Sequence, residues 1–469
     1  MILPPSPGRL RLALLPLVLA LGACASAPTA APSGVDVPPA FRHADSSATA
    51  APNVPQDWWK VFQDPVLDGL EAQAASGNTS VQTAAARLAR ARALVRSAES
   101  QRAPQVGVRA GINRQGGPII NAAGDQGTLL TALADLSWEA DVFGRLQQGV
   151  DAASLDAQSQ EALLRDARLL VQANVAQTYF ELRALDAERA LVQAAATAWR
   201  ETVAITGQRL RTGSVAELEV VRAQAELAVI EAEAQALLRR RTQLEHALAL
   251  LAGVPASSFE LPSQDLAAQL PAIPAGVPAS VLTRRPDILA AQRAVQAAQA
   301  RVGLARTAWF PSLTLTASGG SASPDLGDLL QASTRAWSLG ALVGGVLFDG
   351  GRREAGIRLA DADLEAAAAG YREQILTSLR EVEDQLAAVQ LLSAQLRSAS
   401  TAVDLGRRAT VLAESRYRSG LASQLDVLDA RRTELRNQRD ALQVRSAQYQ
   451  ATVRLIRALG GGWDLASHP

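Results

Sequence analysis

The stretch Arg209-Leu-Arg-Thr-Gly-Ser-Val-Ala-Glu-Leu-Glu-Val220 returns later in the chain as Arg416-Tyr-Arg-Ser-Gly-Leu-Ala-Ser-Gln-Leu-Asp-Val427. Arg209 matches Arg416, Arg211 matches Arg418, Gly213 matches Gly420, Leu218 matches Leu425 and Val220 matches Val427, each pair 207 positions apart. The same offset joins Pro104 to Pro311, Gly144 to Gly351, Arg145 to Arg352 and Gly253 to Gly460. A constant offset across both copies marks a tandem duplication with no net insertion, and a repeat of this kind sets the architecture. In each copy a run rich in Ala, Leu, Gln, Arg and Glu leads into the glycine and another leads out of it. Glycine supplies the left-handed residue that ends a helix, and Ser214 reads as the N-cap of the next one. Each stretch is therefore the tip of a helical hairpin, near 211–215 and 418–422.

Composition agrees with long helices rather than several compact cores. The chain has 469 residues, only 4% aromatic, with Arg far more common than Lys. The formal net charge is zero, which gives a nucleic-acid partner no electrostatic support. One Cys and three His (His43, His246, His468) stand far apart, so neither a disulfide framework nor a His/Cys metal site is expected.

At the N-terminus Arg9 and Arg11 precede the apolar run Leu12–Ala23, too short to span a bilayer as a helix. Residues 1–23 read as a secretory signal. The run ends in Leu21-Gly-Ala-Cys24, which resembles a bacterial lipobox, with Cys24 as the lipidated first residue of the mature chain. Ala25 in second place agrees with outer-membrane sorting. Plain cleavage at Ala25-Ser-Ala27 is the other reading. Residues 24–54 form a Pro/Ala/Ser-rich tether, and 55–75, with Trp58, Trp59 and Phe62, an amphipathic helix that packs in a collar. The first repeat covers 55–253, a Pro-rich linker 254–285, the second repeat 286–460 and a tail 461–469.

Between helices the period changes from 3.6 to 2. Val106, Val108, Ala110 and Ile112 alternate with Gly107, Arg109, Gly111 and Asn113, and Leu130 to Ala140 alternate likewise with polar residues. The second copy repeats this in Leu313, Leu315, Ala317 and in Trp337, Leu339, Ala341, Val343. Strands are expected near 104–114, 130–141, 311–319 and 336–348. Their length suits tilted bilayer-crossing strands. Phe143, Trp309, Phe310 and Phe348 lie where strands join helices, as an aromatic girdle at a membrane interface would. Four strands in lipid leave unpaired edges, so the protomer must share a barrel with others. Helices near 144–210 and 352–418 would be about 100 Å long at 1.5 Å per residue. Two shorter helices, end to end, match each in length.

Five separated motifs are similar to those of the Gram-negative outer-membrane efflux proteins, in the lipoprotein (NodT-like) branch of the TolC superfamily. They are Arg285-Pro-Asp-Ile-Leu-Ala-Ala-Gln292, Trp309-Phe-Pro-Ser-Leu-Thr-Leu-Thr316, Phe348-Asp-Gly-Gly-Arg352, Arg416-Tyr-Arg-Ser-Gly420 and Ala458-Leu-Gly-Gly-Gly-Trp463. The resemblance implies an α+β membrane channel: a homotrimer whose four strands per protomer close a 12-stranded β-barrel above a 12-helix α-barrel. It implies a periplasmic adaptor, an inner-membrane pump driven by proton flow, contact with outer-membrane lipid, and no cofactor beyond the lipid on Cys24.

Function then lies in passage and gating. Asp426, Asp429 and Arg432 recur at three-residue steps on one helix face, with Leu425 beside them and Tyr417 and Arg418 across the tip. By resemblance the second hairpin is the inner, mobile one, and these groups would close the periplasmic mouth. The first copy has Glu219, Arg222 and Leu210 in place of Asp426, Asp429 and Tyr417. The alternative is that the charges neutralise one another locally. Arg211, Gly213, Ser214, Gly420 and Leu421 are candidate adaptor contacts. Two other functions stay open on the residues alone: a pore-free periplasmic scaffold lipoprotein, and an exit duct for type I protein secretion. An enzyme would need a constellation of nucleophile, base or ligands that the chain does not offer.

Overall fold

The computed structural model describes residues 35–43, 57–116, 127–266, 270–271, 273 and 278–461. Cys24, the tether apart from residues 35–43, the tail after 461 and Trp463 of the last motif lie outside the described residues. The chain divides into two units, one built from residues 104–152 and 295–368, the other from 35–103, 153–294 and 369–461.

The first unit holds one antiparallel sheet of β1 (Gln105–Gln115), β2 (Gly127–Ala140), β3 (Ser312–Ser323) and β4 (Arg335–Gly344), in chain order. The register places every apolar stripe on the same face. Val108 stands opposite Ala134, Ala134 opposite Gly319 and Gly319 opposite Trp337; one step along, Val106, Leu136, Ala317 and Leu339 form the next row. Val106, Val108, Trp337 and Leu339 are all exposed. The other face carries Thr131, Ser137, Thr314, Thr316 and Ser338, with an Arg109–Asp135 ion pair at 3.1 Å. This is the two-faced pattern of a strand set with lipid on one side and water on the other. β4 ends at Gly344 rather than reaching 348. Its partner Ser312 follows Pro311, which has no N–H to continue the ladder. β3 in turn runs to Ser323, beyond the expected 319, because β2 extends alongside it to Leu130.

The helices follow the repeat. They are α1 (Pro65–Gly77), α2 (Thr79–Ser100), α3 (Arg145–Arg211), α4 (Glu217–Ala252), α5 (Pro278–Arg284), α6 (Pro286–Thr307), α7 (Arg352–Arg418) and α8 (Gln424–Ala458). Both long helices, α3 and α7, have 67 residues and begin and end 207 positions apart. In the second unit the short helices abut end to end. Asn78 caps α2, and its amide Nδ2 donates to the carbonyl of Leu251 at 2.9 Å, at the end of α4. Gly77 and Gly253 meet there backbone to backbone, so closely that a Cβ on Gly77 would strike the Ala252 carbonyl and one on Gly253 the Gly77 carbonyl. The second copy makes the same joint with different chemistry: Arg285 donates to the carbonyl of Ala458, 3.1 Å away.

The expected helix over 55–75 is broken. Trp58–Phe62 form a 3₁₀ turn, Gln63 adopts a left-handed conformation, and Asp64 caps α1 with its carboxylate accepting from the amides of Val66 and Leu67. Asp64 before Pro65 is a start signal that overrides the apolar period. Trp58, Trp59 and Phe62 pack in the core beside α3: Phe62 lies 4.7 Å from Phe180, and Trp58 Nε1 donates to Gln172. Phe259, Leu261 and Leu266 of the linker pack on that same core outside any strand or helix; the linker's described helical pieces are a 3₁₀ turn at Ala256–Ser258 and α5. No helix among the described residues is long and apolar enough to cross a membrane, a criterion that does not apply to strands.

Candidate functional site

Both tips close by the same hydrogen bonds. Gly213 and Gly420 have φ of 72° and 74°, a left-handed conformation that costs glycine least. The amide of Ser214 donates to the carbonyl of Arg209 at 2.8 Å, and that of Leu421 to Arg416 at 2.8 Å. These six-residue loops satisfy the last carbonyls of α3 and α7.

The exits from the tips differ. Ser214 is not the N-cap of α4; that place belongs to Ala216, whose methyl group accepts no hydrogen bond, and the Ser214 hydroxyl instead meets Thr212 Oγ1 at 3.0 Å. Ser423 stands 207 positions after Ala216 and caps α8 with a full capping box. Its hydroxyl accepts from the Asp426 amide, and the Asp426 carboxylate accepts from the Ser423 amide and hydroxyl at 2.8 Å. The Ser423 hydroxyl, then its amide, hold the Asp426 carboxyl below its ordinary value. Asp426 is thus a helix-capping group, and the expected stripe Asp426–Asp429–Arg432 is split.

Two of the other candidate gate residues, Tyr417 and Arg432, find partners across the two hairpins. Tyr417 accepts a hydrogen bond from Arg209 at 2.7 Å, and that guanidinium also stands 5.6 Å from the ring centroid. Arg432 pairs with Glu226 of α4. Arg418 turns back to the carbonyl of Glu414. Asp429 remains exposed beside Arg432, whose positive form it favours along with Glu226. Leu425, Leu421 and Arg211 are exposed.

Two arginines on α8 extend these ties and were not singled out from the sequence. Arg431 reaches Glu414 of α7 at 2.7 Å and Thr202 of α3 at 3.0 Å. Arg439 reaches Glu188 of α3 at 2.7 Å and Glu233 of α4 at 2.5 Å. The positions 207 earlier than 431, 432 and 439 are Gln224, Ala225 and Ala232. Departure from the repeat was the signal that could have found them.

Of the interface aromatics, Phe143 and Phe310 stack at 4.8 Å and 13°, and Trp309 lies under the Arg353 guanidinium at 4.2 Å. Phe348 is exposed. Among the described residues no cluster of three or more His, Cys, Asp or Glu could hold a metal ion. His43 instead meets Glu383 at 3.2 Å.

Comparison with known proteins supplies the rest. The family profile for outer membrane efflux protein matches residues 70–254 and again 277–461, two stretches 207 positions apart at both ends. Outer membrane protein OprJ of Pseudomonas aeruginosa is 32% identical over 96% of this chain and 95% of its own length. The probable outer membrane lipoprotein SilC of Salmonella typhimurium is 29% identical over 97% and 99%. Among solved structures, the outer-membrane channel OprN superposes with a TM-score of 0.87 at 30% identity, over 94% of this chain and all of that one. A bilayer-suited sheet, duplicated 67-residue helices and two family matches in the same register lead to one conclusion: this chain belongs to the outer membrane efflux protein family.

Proposed function

We propose that three copies of this chain form the exit duct of an efflux assembly, gated where the second hairpin ends. The observation that carries the reading is the sheet. Its apolar stripes share one face, the other face is mostly polar, and an outer edge of β1 and of β4 is left unpaired among the described residues. Unpaired backbone groups cost several kcal/mol each in hydrocarbon, and closure with neighbouring copies removes both edges. Three four-stranded sheets make a 12-stranded barrel.

In this reading the duct is passive. An inner-membrane pump, driven by proton flow, supplies the work, and a periplasmic adaptor meets the exposed tips at Arg211, Gly213, Ser214, Gly420 and Leu421. Cys24 carries the lipid that holds the mature N-terminus to the membrane. At the mouth, Leu425 and Asp429 face outward from α8, while Tyr417–Arg209 and Arg432–Glu226 hold the second hairpin to the first. Exposed ion pairs contribute about 0–1 kcal/mol each. A threefold set therefore keeps a mouth closed and still lets partner binding open it.

Single-channel conductance in a planar bilayer tests the reading. The parent should give discrete, small pores, and Asp429→Ala or Arg432→Ala larger ones. Equal conductance in parent and variants removes the gate and keeps the duct. Folded, oligomeric protein that forms no pores removes the duct and favours a scaffold lipoprotein.

A further inference from the structure

The repeat gives residues of the first copy counterparts in the second, so the places where each hairpin is fastened can be matched one to one. In the first copy three buried side chains, Arg183, Asp186 and Arg241, and the half-buried Glu245 close over the linker backbone. Arg241 donates to Asp186 at 2.7 Å, to Glu245 at 3.0 Å and to the carbonyl of Leu261. Arg183 donates to Asp186 at 3.0 Å and to the carbonyl of Pro262 at 2.7 Å, and the Leu261 amide donates to Glu245 at 2.6 Å. α3, α4 and the linker are thereby locked together.

The counterparts 207 positions on are Gln390, Ser393, Gln448 and Thr452. All four are neutral. One hydrogen bond, Gln448 Nε2 to Ser393 Oγ at 3.3 Å, takes the place of the Arg241–Asp186 ion pair. Gln390 is exposed, whereas Arg183 is 2% exposed.

The second copy keeps its ion cluster at another level. Arg285 donates to Asp287 at 2.5 Å and to Glu381 at 2.7 Å as well as to the Ala458 carbonyl, and Gln374 adds a bond to Asp287 at 2.7 Å. In the first copy those places are held by Asn78, Ser80, Asn174 and Ala167, with no charge among them. Asp186 lies 27 positions before Gly213, and Glu381 lies 39 positions before Gly420. The arm beyond the cluster is 12 residues longer in the second hairpin, about 18 Å at the 1.5 Å rise of a helix.

A buried ion cluster resists opening because removing one partner strands the other's charge away from water. A neutral hydrogen bond in the same place resists far less. We infer that these two clusters set the hinges of the hairpins: Arg183, Asp186, Arg241 and Glu245 stop the first hairpin high on its arm, while Arg285, Asp287 and Glu381 leave the second a longer arm to swing. These are positioning residues for gating. The consequence at the mouth rests on the gated-duct reading; the hinge placement itself rests on the contacts above. The ties from Arg431, Arg432 and Arg439 then hold the long arm against the short one until they are broken.

Amide hydrogen exchange of the full-length protein in lipid nanodiscs tests the hinges without any variant. Residues 382–393 and 445–456 should exchange about tenfold faster than their counterparts 175–186 and 238–249, as expected for a segment with lower local opening energy. Ser393→Asp with Gln448→Arg should slow the second set, and Asp186→Ser with Arg241→Gln should quicken the first. Equal exchange of the matched segments in the parent overturns the inference, even if a swapped variant fails to fold. Conductance separates the two ideas: pores that ignore Asp429→Ala remove the gate and leave the exchange comparison standing.

Discussion

Glu71 is 1% exposed, and neither oxygen of its carboxyl has a partner. Burial, reinforced by the neighbouring Asp68 carboxylate, pushes it up to about 9 from an ordinary 4.5. Below about pH 4.5 the folded and unfolded chains both hold the proton, and Glu71 has no effect on stability. As pH rises from there to about 9 the unfolded chain releases the proton while the folded chain keeps it, so stability falls across that window. Glu71→Gln keeps the shape and cannot ionise. Thermal unfolding should show parent and variant alike at about pH 4, and the variant more stable at about pH 8 by a few kcal/mol. An unchanged pH slope would mean that the folded chain does not hold this carboxyl neutral. No sequence pattern marked Glu71 as buried: it follows Leu70 on a helix with a mixed face, and the core that its neighbours Leu67, Leu70 and Ala74 join draws on distant parts of the chain such as Tyr179 and Tyr449.

At the scale of the element, the two tips are a controlled pair. They share glycine termination and differ at the following cap, Ala216 against Ser423. An N-cap Ser, Thr, Asp or Asn contributes about 0.5–2 kcal/mol over Ala. Ala216→Ser should therefore protect the first turn of α4 from amide exchange, and Ser423→Ala should expose the first turn of α8, each by roughly that amount. Ser423→Ala also frees the Asp426 carboxylate from the capping box. A change in conductance for this variant would return Asp426 to the gate, and none would confirm it as a cap. The 207-residue offset located both tips and the bounds of both 67-residue helices, because helix length follows from local signals that were duplicated with the chain. It could not locate Arg431–Thr202 or Arg439–Glu188, because those contacts join the two copies and have no image within either.

At the scale of the molecule, membership of an efflux-channel family and a sheet with one apolar face place this protein in the outer membrane as an exit for efflux. The proposed lipid on Cys24 is a second hold on that membrane, and a single acyl chain alone would anchor only weakly. Intact-mass measurement of the mature protein should find a chain that starts at Cys24 and carries acyl groups. Cys24→Ser should lose that mass and still form pores, since the barrel does not use the residue. A mature chain cleaved after Cys24 would discard the lipobox reading.

By itself the sequence determined what is periodic and local. Tandem duplication, two helical tips, four strands of bilayer length and their apolar face follow from an offset of 207 and from periods of 3.6 and 2. The tertiary structure alone decided which charges meet. Asp426 turned inward to its own helix start, Arg432 crossed to Glu226, and the ion clusters of the two copies settled at different heights. The reason is physical: backbone periodicity is set by neighbours a few residues away, whereas an ion pair is set by which side chains packing brings within about 4 Å and removes from water, and in a duplicated chain that choice can differ at matched positions.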